Sequence, residues 1–219
     1  MRSFLRSRLA VVPLAACIVS WAMPAGAQTK GSGAGLDSYE AMVAWSLHQA
    51  NMDQLEMAKL ADSNASAAAV KSFADRLRED HQTAETQVEA YAQGKGVDLA
   101  ELGRRVSSLT KDQLELERRV KGVGSATGEW IWTWEQAARP ARTAAPELAN
   151  LRRLQGAEFD REFLKAEQAQ HKDLVDRLAD ARKRTDDAGM KGVIDAVLPA
   201  CQQHLATAQQ LQTRVSKAP

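Results

Sequence analysis

Apolar residues recur every three to four positions through most of this chain, and strict alternation is almost absent. Met42, Trp45, His48, Met52 and Leu55 form an i, i+3, i+7 stripe. It predicts a first helix over about 37–62, opened by Asp37 with Glu40 three residues on, in the manner of a capping box. Val70, Phe73, Leu77, His81, Ala84, Val88 and Tyr91 repeat with heptad spacing. This second helix should take Ser66 as its N-cap and stop at Gly94-Lys95-Gly96. A third helix is predicted over about 157–183, with Phe163, Leu164, Glu167, His171, Leu174, Val175 and Leu178 on or near its inner face. A fourth, over about 186–216, carries Val193, Val197, Ala200, His204, Ala208, Leu211 and Val215 on one seam.

Residues 97–150 break this regularity. A charged helical stretch over about 109–120 gives way to Gly122 and Gly124, then to alternating Trp130, Trp132 and Trp134, with Pro140 and Pro146 closing the segment. Four long amphipathic helices, two short hairpins and one long crossover predict an all-α fold, a four-helix bundle over 37–216 with a helical and Trp-rich crossover between helices 2 and 3. The tryptophans either pack across the bundle as a lid or offer an aromatic surface for a protein or membrane interface.

Composition changes the picture mainly at the amino terminus. Arg2, Arg6 and Arg8 precede a mostly apolar run from Leu9 to Met23, and Ala25-Gly26-Ala27 is a small-residue cleavage site. Residues 1–27 therefore read as a secretory signal peptide, and residues 28–36 as a flexible tether. Leu14-Ala15-Ala16-Cys17 also fits a lipoprotein cleavage box, which would leave Cys17 lipidated. The apolar run continues past it through Ile18, Val19 and Trp21, which favours release as a soluble periplasmic protein.

Cleavage removes three arginines and no acid, leaving 26 basic against 28 acidic residues, so charge gives no case for nucleic acid. No later run is apolar enough to span a membrane. Only Cys201 would remain, so no intramolecular disulfide can form.

The candidate chemistry lies in four histidines. His48 and His81 are symmetric about the first hairpin, and His171 and His204 about the second. Each lies about 16 residues, or ~25 Å, from its tip at a helical rise of ~1.5 Å per residue. If both tips sit at one end of the bundle, all four imidazoles share a layer. That geometry would follow from a crossover that returns helix 3 antiparallel to helix 2. The heptad phase turns His81 and His204 inward, places His171 on an inner face, and leaves His48 between two faces. Glu56 falls about two turns nearer the tip, outside the first coordination sphere.

Neutral imidazole binds Zn, Cu, Fe or Ni. Glu167, Asp80, Gln168 and Gln203 are near enough in sequence to accept from the far ring nitrogens. Cys201, three residues before His204, could join as a soft ligand or serve as a small buried hydrophobe. Met52 could add a thioether, although a seam methionine is usually core. Pro199 should kink helix 4 beside the layer. The competing reading is a hydrogen-bonded polar layer that fixes bundle register in a structural or interaction module.

A di-iron oxidase site would need E-x-x-H pairs, but Arg78, Gln168 and Cys201 stand three residues before His81, His171 and His204. No catalytic triad or phosphate-binding loop is visible. The sequence thus offers a site without a reaction.

The order of short motifs adds a resemblance. Met57-Ala-Lys-Leu60-Ala61, Ala69-Val70-Lys71-Ser72-Phe73-Ala74 and Arg78-Glu79-Asp80-His81 are followed by Leu154-Gln-Gly156-Ala157-Glu-Phe159-Asp160-Arg161 and His171-Lys172. Leu198-Pro199 and His204-Leu205 complete the series. The chain resembles the bacterial exported family called domain of unknown function four-one-four-two, over roughly 40–96 and 150–215. The resemblance implies a ferritin-like bundle and places the family pattern on His81, His171 and His204. It supplies no activity. Gln54 stands where the family often has an acidic residue, His48 lies outside the pattern, and the tryptophan segment lengthens the usual crossover.

Overall fold

A computed structural model describes residues 39–108 and 145–216, and every regular element among them is helical. The four long helices are α1 (Tyr39–Asn64), α2 (Ala68–Gly94), α4 (Gly156–Arg184) and α5 (Ala188–Val215); a short α3 (Leu99–Ser108) follows α2. A further helical stretch occupies 145–151. The leader, the tether, Asp37, the 109–120 stretch and the three crossover tryptophans lie outside the described residues. No helix among the described residues is long and apolar enough to cross a membrane.

Helix-to-helix proximity gives the ring order α1–α2–α5–α4, each helix packing on two neighbours. The direction of the helices corrects one expectation. Ala65, at the α1–α2 tip, bridges to Gly156 at the start of α4. At the other end Thr185 Oγ1 donates to Glu40 Oε1 at 2.8 Å, and Lys95 pairs with Asp187. The two hairpin tips therefore lie at opposite ends, and α4 runs parallel to α2. Every pair of ring neighbours is therefore antiparallel. The histidines still meet because each sits near the middle of a helix, about equally far from both ends.

Local chemistry explains the ends. α2 stops in a Schellman turn, with Val97 N–H bonded to Ala92 O at 2.8 Å and Gly96 N–H to Gln93 O at 3.1 Å. Gly96 takes φ +67°, a conformation glycine adopts without penalty. The predicted Ser66 cap is replaced. Ala67 is the N-cap residue of α2, and the buried Asp160 of α4 accepts from Ala67 N, Ser66 N and Ser66 Oγ at 2.9, 3.1 and 2.6 Å. Asp187 caps α5 directly, accepting from Met190 N at 2.8 Å.

The core has two halves. Met57, Phe73, Leu77, Phe159, Phe163 and Leu211 pack near the α1–α2 tip. Leu47, Val88, Leu174, Leu178, Ile194 and Val197 pack towards the other end. Each such side chain contributes about 1.5–3 kcal/mol when fully buried. A smaller cluster sets α3 against α1, with Leu102 and Val106 on Met42 and Trp45.

Helix α1 keeps Met42 and Trp45 of its predicted stripe buried, but departs from the predicted phase after them. Met52 is 45% exposed and His48 and Leu55 are half-buried, whereas Leu47, Asn51, Gln54, Ala58 and Ala61 face inward. Two of those inward residues are amides, so apolar spacing alone selects a neighbouring stripe.

Candidate metal centre

The two halves of the core are separated by a polar layer. On α2, His81 follows Phe73 and Leu77 and precedes Val88; on α4, His171 lies between Phe163 and Leu174. On α5, His204 lies between Cys201 and Ala208. All three imidazoles are at most 2% exposed, and their ring centroids are 5.0–5.5 Å apart. One nitrogen of each points to a common centre, and the three lie within 4.8 Å of one another. His171 Nε2 stands 3.3 Å from His81 Nε2 and 3.2 Å from His204 Nδ1. Two metal–nitrogen bonds of about 2.0–2.1 Å at a tetrahedral angle would separate their nitrogens by about 3.3–3.4 Å.

The outer nitrogens fix the tautomers. His171 Nδ1 donates to the Glu167 carbonyl at 3.0 Å, with the Glu167 carboxylate at 3.1 Å. A carbonyl can only accept, so the proton sits on Nδ1. His204 Nε2 donates to Asp80 Oδ2 at 2.8 Å. His81 Nδ1 donates to Asn51 Oδ1 at 2.9 Å, while Asn51 Nδ2 donates to Glu85 Oε2 at 2.9 Å. Glu85 also takes the ring of His48. Every inward nitrogen is left with a bare lone pair. Such partners on the far nitrogen raise ligand basicity and orient the ring.

Electrostatics disfavour charge on His81 and His204. Burial, reinforced by the neighbouring rings, holds His81 well below its usual range. Burial also lowers His204 to about 4, although Asp80 pulls the other way. Glu167 is pushed up by burial, opposed by its bonds from His171 and Gln54. With its amide nitrogen turned to that carboxylate, Gln54 donates to Glu167 at 2.8 and 3.2 Å.

His81, His171 and His204 are thus brought together as the spacing predicts, and the other candidates are not. His48 turns to Glu85, whose hydrogen bond raises its pKa; the cause is the α1 phase, which gives the inner face to Asn51. Cys201 is buried in a neighbouring wall, outside the converging set, with its thiol pushed up to about 12 chiefly by burial. Glu56 pairs with Arg152 at the surface, and Met52 faces outward. Of the expected acceptors, Glu167 and Asp80 serve; Gln168 bonds Leu164 O and Gln203 bonds Thr207. Asn51 and Glu85 escape a sequence reading, because the signal for Asn51 was only its place one turn after a half-buried histidine.

A cleft of about 110 Å³ between α2 and α5 reaches the layer. His81, His204, Asp80 and Cys201 line it, and it runs beside the Pro199 turn of α5.

No curated protein and no solved structure matches the chain. A family model does, over residues 25–211, which takes in all three histidines and both hairpins. The chain belongs to the family described as Domain of unknown function (DUF4142).

Proposed function

We propose that this is an exported, ferritin-like four-helix bundle that binds a transition metal ion through His81 Nε2, His171 Nε2 and His204 Nδ1. The observation that carries the reading is the convergence of three lone pairs whose tautomers are fixed from outside. Three acceptors in a buried space repel one another unless an electrophile joins them. Nitrogen ligands suit Zn, Cu, Ni or Fe. Ring order with one long crossover supports the ferritin-like arrangement. The leader at 1–27 supports export to the periplasm.

The rival reading is a histidine layer that serves only bundle register, and ring contacts of 3.2–3.3 Å favour it. It requires an extra proton within the trio, which burial opposes. Calorimetric titration of chelator-treated protein, lacking residues 1–27, separates the two. Binding of Zn, Cu, Ni or Fe at micromolar or lower concentration, lost in His171→Ala, is expected. No histidine-dependent binding of any of the four overturns the metal reading.

A further inference from the structure

Three nitrogens leave a four-coordinate ion one ligand short, and no Cys, Asp or Glu among the described residues completes the set. Metal centres of this kind that do chemistry keep three protein ligands and an open position. The α2–α5 cleft touches two of the three ligand residues, His81 and His204. At about 110 Å³ it is well below the ~300–1,000 Å³ of an ordinary organic ligand site. It has room for a few water-sized groups.

Among the described residues, neither end of the crossover covers the cleft. α3 leaves α2 against α1, and the helical stretch at 145–151 returns against α1 and α4 through Leu148, Leu151 and Glu147. Both ends of the crossover therefore join on the side away from the α2–α5 face.

Resting on the metal reading above, we infer that the ion's fourth position opens into this cleft and accepts an exogenous donor of one to three heavy atoms. The walls sort by size: Ala84, Val197 and Ala200 line the cleft together with the buried thiol of Cys201. Asp80, at the edge, is held by His204 and stays aligned as an acceptor for a ligand that carries a proton. A small ligand would thus meet the metal on one side and a carboxylate on the other. The layer becomes an exchange site for small ligands, distinct from a closed structural clasp.

Cobalt(II) reports this directly, because its visible absorption changes when one ligand is replaced. The signal-cleaved protein is loaded with cobalt(II) and titrated with azide. A saturable spectral change is expected in the parent protein. Ala200→Leu should weaken azide binding at least ~tenfold, a loss of about 1.4 kcal/mol, while cobalt affinity holds. Ala196→Phe, at an exposed position of the same wall, provides a second block should the first disturb folding. Cobalt binding with no azide response overturns the open position and leaves the metal reading standing. Equal azide affinity in the parent and both variants overturns the cleft as the route. Failure to bind cobalt, zinc, copper, nickel or iron overturns the metal reading and this inference with it.

Discussion

A carboxylate can only accept, and at Glu85 that constraint passes through two further residues. Glu85 takes Asn51 Nδ2, so Asn51 must show its oxygen to His81, and His81 must keep its inner lone pair. Glu85→Gln lets the Asn51 amide turn, and His81 then loses its fixed tautomer. Metal affinity should fall about 10–100-fold, the usual cost of losing such a partner. Nitrogen-15 NMR of the metal-free imidazoles should show mixed tautomers at His81; unchanged spectra would refute the relay. Asp53 gives a second test at this scale. Its Oδ2 is buried without a hydrogen-bond partner, and burial raises its pKa to about 6. The unfolded carboxyl ionises near 3.8, so stability is lost as pH rises from there to about 6. Asp53→Asn should raise the urea midpoint at pH 7.5 and leave it unchanged near pH 3.5.

The ends of helices carry information that individual periodicities do not. Asp160 belongs to α4 by sequence, but it satisfies the amides of Ser66 and Ala67, the two residues that lead into α2. Asp160→Ala removes three bonds from a buried group and leaves donors orphaned. The expected cost is about 2–3 kcal/mol, read as a lower urea midpoint at constant slope. Asp160→Asn should recover part of it. Sequence spacing predicted four long helices and three inward histidines because α2, α4 and α5 carry their apolar residues on the same face as the histidine. It misjudged α1 because that helix spends its inner face on Asn51 and Gln54. Ser66 read as a cap because local sequence cannot reveal a carboxylate arriving from another helix. The opposite placement of the two tips was also out of reach. Symmetric spacing about a tip stays the same when a hairpin is inverted, provided the histidine is central.

On the scale of the whole molecule, the layer joins the two hairpins, since His81 belongs to one and His171 and His204 to the other. An ion held there would act as a cross-link midway along a bundle whose hairpins otherwise meet through side-chain packing and end contacts. At about 100 times its dissociation constant, a ligand of the folded state adds ~2.7 kcal/mol. For a chain of this length that should raise Tm by about 5–10 °C. The metal-free protein has its own pH dependence. His204 titrates near 4 when folded against 6.5 when unfolded. Its contribution is intact above pH 6.5 and is lost as pH falls towards 4, about 3 kcal/mol across that window. The lowered His81 acts in the same direction. His48 opposes them, because its raised pKa adds stability below 6.5 that disappears as pH climbs through the folded value. Chelator-treated His48→Gln should therefore lack the stability that the parent gains as pH falls to 6.5, with its slope below 6.5 little changed. His204→Gln should show a shallower loss between pH 6.5 and 4.5 than the parent. Zinc should stabilise the parent at pH 7.5 and less at pH 3, below the folded pKa of His204, where protons compete for its lone pair. A zinc shift of equal size at both pH values, or one retained in His204→Gln, would place the ion outside the histidine layer.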